Sequence, residues 1–399
     1  MMRISSNTLF DSNVAALNQQ QAKLFQTQQQ IASGLRISTA ADDPVAAAQA
    51  LDLSQSEAMN TQYTSNRTAA YHTLSMAEGA LQSVTSLLLD VRDAAIGAGD
   101  GSLTAGTRKI LAADLSGRLQ ELVGLANATD GAGNHLFAGF QSRTQPFVDT
   151  PAGVGYFGDD GQRNVQVSAS RQLASSEPGA NVFMRIKNGN GTFSTQAAAT
   201  NTGSGLISQG SVINPALLTG NKYSVTFSVV GAVTTYEIQN TTTAAIVSTG
   251  NPYVSGQAIS FGGMQVDIKG IPAAGDKFTV APSTNESVFK TISDLITALN
   301  TPVVGANLSN SLAHGINNLD NSLNNVLNTR SSLGLRLNEI DSLQTMGDNL
   351  GLQLKKTLSQ LQDTDYNKAA SELAQQQLIL QAAQQSFAKV ANLSMFNYL

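Results

Sequence analysis

Three histidines and two acidic pairs are the side chains of this chain that could bind a metal ion or transfer a proton. His72, His135 and His314 are far apart in the sequence, and none has the spacing that places two imidazoles on one helix face. Asp159-Asp160 and Asp363-Thr364-Asp365 are acidic, but neither begins a loop with the alternating ligands and final Glu of a calcium-binding loop. We therefore predict no metal site, and we assign these residues to turns and helix joints.

One glycine-rich segment, Gly153-Val154-Gly155-Tyr156-Phe157-Gly158, has the spacing of a dinucleotide-binding loop. It leads into Asp159-Asp160-Gly161 and not into a helix, so the helix N-terminus that would bind a pyrophosphate is missing from the pattern. A turn between short strands explains the segment better. The sequence contains neither a Gly-Lys-Ser/Thr phosphate-binding motif nor a Gly-x-Ser-x-Gly nucleophile motif. It therefore predicts neither an enzyme nor a cofactor-binding protein.

The composition excludes further classes of function. Hydrophobic residues make up 41% of the chain, enough for packed cores, whereas the charged fraction of 13% is about half the usual share. A net charge of -5 provides no basic surface for nucleic acid, and no polybasic cluster suits a membrane surface. The absence of cysteine excludes disulfides and thiolate metal sites. No cleaved signal peptide is recognisable at the start, so we expect any export to use a route that does not need one.

Apolar residues recur every seven positions near both ends of the chain. Near the start the repeat consists of Phe10, Leu17, Leu24 and Ile31, with Val14, Gln21, Gln28 and Leu35 four residues after each. Near the end it consists of Tyr366, Leu373, Leu380 and Phe387, with Ala369, Gln376, Ala383 and Val390 three residues after each. A seven-residue repeat is typical of helices that wind around each other. We therefore expect terminal helices that pair with each other or with neighbouring copies.

The inner and outer stripes differ in composition, and we assign them different roles. The inner stripes, Leu74–Val91 and Leu319–Ile340, can pair within one subunit as a bundle. The outer seams carry Gln21, Gln28 and Gln376, and a glutamine at a seam weakens an isolated pair while it fixes the register. We expect the outer helices to be marginal in the monomer and to become ordered when neighbours pack on them. The predicted assembly residues are Phe10, Leu17, Leu24, Ile31, Leu373, Leu380, Phe387 and Val390.

A short joint with its own capping residues follows the first helix. Gly34 lies at the end of that helix, Asp42 or Asp43 can cap the next one, and Pro44 suits its first turn. Asp363-Thr364-Asp365 forms a second joint before the last helix, because Asp and Thr favour caps and turns. If the termini pair, the two joints lie opposite each other, and we expect them to act as one hinge. The predicted hinge residues are Gly34, Arg36, Asp42, Asp43 and Pro44.

Helical periodicity predicts four stretches of helix. They cover residues 7–33, residues 45–96 with an interruption near 60–68, residues 107–128, and the chain from about residue 286 onward, which the second joint divides before a last helix at about residues 366–393.

The middle of the chain, from about residue 141 to 285, has the alternation of β-strands. Residues 223–229 alternate apolar with polar side chains, Gly231-Ala232 is a candidate two-residue turn, and residues 233–238 form the return strand. Shorter alternating runs include Val165 with Val167, and Met264 through Ile268.

Taken together, these patterns predict an α+β fold, a long antiparallel helical coiled-coil or bundle rod built from both termini, with an inserted all-β domain. The predicted domains are residues 1–42 with 363–399 for terminal coiled-coil assembly, residues 43–140 with 286–362 as a helical bundle, and residues 141–285 as a β-rich outer domain.

Several of these segments are recognisable. Ile31–Ile37 followed by Ala41–Pro44 closely resembles the flagellin family, and so does the run Leu136–Phe147. The start, Met2–Asn7, and the end, Ser394–Leu399, resemble the hook–filament junction branch of that family more than the filament branch. The resemblance does not extend to the insert beyond about residue 170.

The resemblance implies a structural subunit of the bacterial flagellum, without enzymatic activity, that joins the hook to the filament by polymerising through its terminal helices. The implied partners are copies of itself in a ring, a hook-side junction protein, flagellin or filament-side subunits, and an export chaperone at the C-terminal helix, with neither nucleic acid nor membrane. It also implies an extracellular location after type III export. Two alternatives stay open: a flagellin filament subunit, and a secreted adhesin or host-contact module that would bind through the β insert.

Overall fold

The computed structural model describes residues 6–301 and 305–392, without the side chains of residues 6, 7, 9 and 390–392. The chain folds into two compact units, Met1–Ser65 with Ser342–Leu399, and Asn66–Asp341. We call them the terminal unit and the central unit. The three-domain division made from the sequence stays a prediction.

Six α-helices lie in the described part of the chain: α1 Ser6–Ser33, α2 Pro44–Gly97, α3 Ala105–Ala126, α4 Val288–Asn300, α5 Ala306–Gln362 and α6 Tyr366–Asn392. Both α2 and α5 contribute residues to each unit. Within the described ranges, no helix has the length and apolar character needed to cross a bilayer.

Two helix boundaries differ from those predicted. The predicted interruption of α2 near residues 60–68 is wrong, because polar side chains there find partners without breaking the helix. Asn60 Nδ2 donates to the Gly347 carbonyl at 2.8 Å, and Thr64 Oγ1 donates to the Asn60 carbonyl one turn back at 3.0 Å. The sequence also did not reveal the break between α4 and α5. Thr301 there is extended, at φ -76° and ψ 139°, as expected for a residue that precedes a proline.

The β-strands of the described ranges all lie between α3 and α4. They are β1 Phe147–Thr150, β2 Gly153–Tyr156, β3 Asn164–Ser168, β4 Arg171–Ala174, β5 Ile186–Lys187, β6 Phe193–Ala197, β7 Leu206–Ile207, β8 Ser211–Val212, β9 Tyr223–Val230, β10 Val233–Asn240, β11 Ala245–Pro252, β12 Ala258–Phe261, β13 Met264–Lys269, β14 Lys277–Pro282 and β15 Asn285–Glu286. The larger sheet has the order β11-β10-β9-β14-β6, and a second sheet has the order β12-β13-β7, with β8 also paired to β13.

The predicted hairpin is confirmed as β9 and β10. Val233 pairs with Val230, so Gly231-Ala232 is the two-residue turn, and Gly231 has the positive φ of 63° that such a turn favours. Alternate residues of the strands point into one apolar core that both sheets share. Members of this core are Phe193, Tyr223, Val225, Phe227, Ile238, Ile259, Phe261, Met264, Val266, Ile268, Phe278 and Val280.

The inner heptad stripes form the helical core of the central unit. The buried residues of α2 and α5 there are Ala70, Leu74, Ala77, Leu81, Val84, Leu88, Val91, Ala95, Leu312, Leu319, Val326, Leu333 and Ile340. Two ion pairs link the helices beside this core. Arg92 Nε lies 2.6 Å from Asp320 Oδ1, and Arg330 Nη2 lies 2.6 Å from Glu78 Oε1. Apolar burial stabilises the pair, while the charges fix how the helices align.

The segment Leu136–Phe140 connects the helices to the strands by a tight turn. Gly139 has a φ of 70°, and a side chain there would collide with Asp159. The Asp159 carboxylate accepts hydrogen bonds from the Phe140, Gln141 and Gly161 amides, and the bond from Phe140 contributes most to the lowering of the Asp159 pKa. The glycine and the aspartate therefore form one structural turn.

Four phenylalanines form a buried cluster where this turn meets the helices. They are Phe137, Phe147, Phe183 and Phe289, each at most 1% exposed. The ring centroids of Phe147 and Phe183 lie 5.3 Å apart, and those of Phe137 and Phe183 lie 5.5 Å apart, in edge-to-face geometry. Phe183, in the π-helical turn Ala180–Met184, contacts all three others.

Removing the Phe183 ring should therefore destabilise the central unit strongly. We expect Phe183→Ala to lower the free energy of unfolding by about 3–5 kcal/mol, because it leaves a cavity among rigid rings. Phe157→Ala is the matched control, since Phe157 is exposed, and it should change the value by less than about 1 kcal/mol. Urea unfolding followed by circular dichroism measures both. Equal losses in the two variants would contradict the prediction.

Candidate assembly interface and joint

The terminal helices α1 and α6 pack along each other in the terminal unit. The predicted seam residues Leu17, Leu24 and Ile31 of α1 are half-buried, as are Leu373, Leu380 and Phe387 of α6. Phe10 is half-exposed, and its ring centroid lies 5.2 Å from that of Phe387. The side chain of Val390 lies outside those described. These stripes therefore meet within one subunit, and their proposed role between subunits stays a prediction.

The second row of the α1 seam differs from the one predicted. Of the four residues predicted for this row, Val14 is half-buried, whereas Gln21, Gln28 and Leu35 are exposed. The inward row lies three residues after it, and it consists of Asn13, Gln20, Thr27 and Gly34. A three-residue step is the a-to-d spacing of a heptad, which the four-residue assignment in α1 did not follow. In α6, the three-residue assignment agrees with the burial of Ala369 and Gln376.

Gln376 places an unsatisfied polar atom in this seam. Its side-chain oxygen is shielded from solvent and accepts no hydrogen bond from the described residues. A buried acceptor without a partner costs about 1–3 kcal/mol. Thr27, by contrast, is buried with its hydroxyl bonded to the Lys23 carbonyl at 3.1 Å. Half-buried apolar contacts thus hold α1 and α6 together, and the unpaired oxygen of Gln376 opposes this pairing.

Large apolar side chains also face outward from the terminal unit. Phe25 on α1 and Leu378 on α6 are each 68% exposed. Other exposed members are Val45, Leu51, Met59, Met346, Leu350, Leu352 and Ile379. Sequence reasoning missed this set because it followed only the seven-residue stripes. Apolar residues between the stripe positions could have indicated this exposed set from the sequence. Such a concentration of exposed apolar side chains is typical of an interaction surface.

The two joints are bonded directly to each other. Leu35 and Asp363 form an antiparallel bridge, in which the Arg36 amide donates to the Gln362 carbonyl at 2.6 Å and the Thr364 amide donates to the Gly34 carbonyl at 2.9 Å. The Arg36 guanidinium adds a bond from Nη2 to the Leu361 carbonyl at 2.6 Å. The joints therefore lie opposite each other, as the sequence predicted, while the hinge motion stays a prediction.

Asp42 and Asp43 have separate tasks in the joint. Asp43 caps α2, since its Oδ1 accepts the Ala46 amide at 3.0 Å, with Pro44 as the first helical residue. Asp42 instead folds the joint, because its Oδ2 accepts the backbone amides and hydroxyls of Ser38 and Thr39 at 2.9–3.1 Å. The Thr39 amide is the main cause that lowers the Asp42 pKa.

Glycine is needed at the end of α1 for two reasons. Gly34 has a φ of 73°, and a Cβ there would lie 3.0 Å from the Tyr366 hydroxyl.

Two glutamines of α1 also bind the joint. Gln30 Nε2 donates to the Arg36 carbonyl at 2.8 Å, and Gln26 Nε2 donates to Asp42 Oδ1 at 2.9 Å. Sequence reasoning missed both glutamines as joint residues, because it considered glutamine only at the seam of the helices.

The other side chains considered for chemistry have structural partners. His135 Nδ1 lies 2.8 Å from the Asn127 carbonyl oxygen, His314 Nε2 lies 3.2 Å from Asn318 Nδ2, and His72 is exposed. The glycine-rich segment was predicted to be a turn, but Gly153–Tyr156 forms strand β2, and the turn from β1 is Pro151-Ala152 just before it. Among the described residues, no three histidine, aspartate or glutamate side chains converge as metal ligands would.

Comparison with known proteins places these features in a family context. Residues 4–142 match the bacterial flagellin N-terminal helical region, and residues 316–399 match the flagellin C-terminal helical region. Flagellar hook-associated protein 3 of Salmonella typhimurium is 28% identical over 400 residues, which cover 99% of each chain.

Solved structures show the same similarity. The crystal structure of flagellar hook-associated protein 3 from Legionella pneumophila gives a TM-score of 0.73 at 32% identity, over 77% of this chain and 98% of that one. FlgL from Xanthomonas campestris gives 0.71 at 32% identity, over 77% of this chain and 99% of that one.

Replacing the Asp42 carboxylate should loosen the joint. We expect Asp42→Asn to speed amide exchange at Ser38 and Thr39, because a neutral amide is a weaker acceptor for their N–H groups than a carboxylate. Asp52→Asn, an exposed change on α2, is the matched control and should leave these amides unchanged. If both variants exchange at the wild-type rate, Asp42 does not hold the joint.

Acid should loosen the joint of the wild-type chain, as we expect the Asp42→Asn substitution to do. The folded pKa of Asp42 lies below its unfolded value, so its contribution is fully present above about pH 4 and is lost as pH falls through the folded pKa. Chemical shifts of the Ser38 and Thr39 amides should therefore titrate below about pH 4. In the Asp42→Asn variant, the chemical shifts of these two amides should lose this titration. If the titration is unchanged, Asp42 is not the group that causes it.

Proposed function

The chain belongs to the hook-associated protein 3 branch of the flagellin family, and we propose that it joins the hook to the filament by polymerising through its terminal helices. It is a structural, non-enzymatic component of the extracellular flagellum, and it assembles with other flagellar components. The observation that carries the proposed mode of assembly is the apolar exterior of the terminal unit. Phe25 and Leu378 are long apolar side chains that the α1–α6 pair leaves in solvent.

Contacts between identical copies account for this exterior. A side chain that is 68% exposed gives up little water when its own subunit folds, but it gains apolar burial when a second copy covers it. We propose that these outward residues, together with the seam residues of α1 and α6, bind neighbouring subunits in a ring. The unsatisfied oxygen of Gln376 supports the expectation that the isolated pair is marginal and becomes ordered on assembly.

Other flagellar proteins complete the proposed set of partners. A hook-side junction protein would contact one side of the ring, and flagellin or other filament-side subunits would contact the opposite side. Before export, a chaperone would cover the C-terminal helix, where Leu378 and Ile379 are exposed and adjacent. Exposed apolar side chains of this kind favour aggregation, so a partner would cover them until the subunit joins the flagellum.

The paired joints give a junction subunit a way to adapt to unlike neighbours. We propose that Gly34, Arg36, Asp42, Asp43 and Pro44 form a hinge with the second joint. The bridge between Leu35 and Asp363 holds the two chain segments together, so both would turn as one. Asp42 and the glycine conformation of Gly34 define the folded state of this hinge.

Deletion of the gene tests the proposed function. We expect cells with hooks but without attached filaments, and flagellin in the culture medium. Filaments of normal length on the deletion strain would overturn the junction role. A label on the protein should appear at a single point at the end of the hook, whereas a label along the filament would indicate a filament subunit.

Single substitutions test the assembly surface. We expect Leu378→Gln to change the free energy of unfolding by less than about 0.5 kcal/mol, because the residue is exposed and glutamine suits a helix. The variant should nevertheless fail to restore motility in the deletion strain. Ile271→Gln, an equally apolar and exposed change in the β insert, is the control and should restore motility. Full complementation by Leu378→Gln would contradict the proposed surface.

A further inference from the structure

One face of α5 carries a row of asparagines within the central unit. The row, which we call the asparagine face, consists of Asn307, Asn310, Asn318, Asn321 and Asn325. Spacings of three, four and eight residues place these side chains on one side of a helix. Sequence reasoning had followed only the apolar residues of this helix, so the row was missed, although its spacing was visible.

Each of these side chains hydrogen-bonds to the backbone of the insert. Asn307 Nδ2 donates to the Asn201 carbonyl at 2.7 Å and to the Ala199 carbonyl at 3.2 Å. Asn310 uses both ends of its amide, because Nδ2 donates to the Gly205 carbonyl at 2.9 Å and Oδ1 accepts the Ile207 amide at 3.0 Å. This pairing satisfies a side chain that is only 9% exposed.

The other half of the face binds an earlier segment of the insert in the same way. Asn318 Oδ1 accepts the Gly189 amide at 3.0 Å, and Asn321 Nδ2 donates to the Gly189 carbonyl at 2.7 Å and to the Lys187 carbonyl at 3.0 Å. Asn325 Nδ2 donates to two consecutive carbonyls, those of Asn181 and Val182, each at 2.9 Å. Asn318 Nδ2 also donates to Glu286 Oε1 at 3.2 Å, whereas the other bonds of this half to the insert go to backbone groups.

The buried apolar core of the two sheets includes no residue of α5, because its members all lie on strands. Between the larger sheet and the helices lies a cleft of about 680 Å³, lined by residues of β6, β14, α4 and α5. Its lining includes Thr195, Thr279, Lys290 and Asp294, which are polar or charged. Beside this cleft, hydrogen bonds from the asparagine face therefore join the backbone of the insert to α5.

We propose that the asparagine face is a docking surface that recognises the backbone of the insert and sets its orientation on α5. Amide groups can satisfy carbonyls and N–H groups whatever side chains the docked segments carry. Gly189 fixes the shape of the docked loop within the insert, since it has a φ of 59° and a Cβ there would lie 2.2 Å from the Phe193 carbonyl oxygen.

A double substitution in the full-length chain tests this inference, with a double control on the same helix. The test variant is Asn310→Ala with Asn321→Ala. The control is Asn324→Ala with Asn328→Ala, two exposed asparagines of α5 outside the face. Both variants gain the same helix propensity, so any difference between them comes from the lost contacts to the insert.

Amide exchange is the measurement. In the test variant we expect protection of the Ile207 and Gly189 amides to fall by about tenfold or more. The Ile207 amide loses its acceptor on Asn310, and the Gly189 carbonyl loses its donor on Asn321. Protection of Val225 and Phe278 in the insert core should remain as in the wild type. The control should match the wild type at all four amides.

Two results would overturn the inference. One is wild-type protection at Gly189 and Ile207 in the test variant. The other is an equal loss of protection at Val225 and Phe278, which would show that the face belongs to a single core with the insert. If the double variant does not fold, Asn321→Ala alone serves the same comparison against Asn324→Ala. There, only Gly189 and its neighbours should lose protection.

Discussion

Side-chain amides bonded to the backbone of a distant segment hold much of this structure together. Only 13% of the residues are charged, and asparagine and glutamine add hydrogen bonds beside ion pairs such as that of Arg92 with Asp320. Asn60 binds the Gly347 carbonyl, Asn127 bonds with both the amide and the carbonyl of Phe147, and Gln30 binds the carbonyl of Arg36. Such bonds require closely defined positions of both segments, since a buried amide without partners is costly.

The same interaction has different consequences in the two units. In the central unit, amide bonds lie beside apolar cores made of residues such as Leu74 and Phe278, so they add orientation to a structure that is already stable. In the terminal unit, the seam is half-buried and contains the unsatisfied oxygen of Gln376, so less apolar burial supports the helix pair. This division agrees with the proposed assembly through the terminal helices, in which neighbouring copies would add burial there.

Much of the fold could be predicted because its patterns are local. Seven-residue stripes identified the buried faces of α2 and α5, and strict alternation with Gly231-Ala232 identified the β9–β10 hairpin. The features that were missed depend on contacts that form only when the chain turns back on itself at the joint. Gln26 and Gln30 belong to polar runs that mark no target, and only the folded chain brings Asp42 and Arg36 to them. The second row of the α1 seam was misplaced by one residue, since Asn13, Gln20 and Thr27 are polar and gave no apolar signal.

The bridge between Leu35 and Asp363 also determines how the terminal helices carry mechanical load. Its two hydrogen bonds run across antiparallel segments, roughly perpendicular to the chain direction. A pull along the chain therefore loads both bonds in shear at the same moment, and neither can open before the other. A sideways pull would instead break them in turn. The bridge is therefore strongest against a pull along the chain.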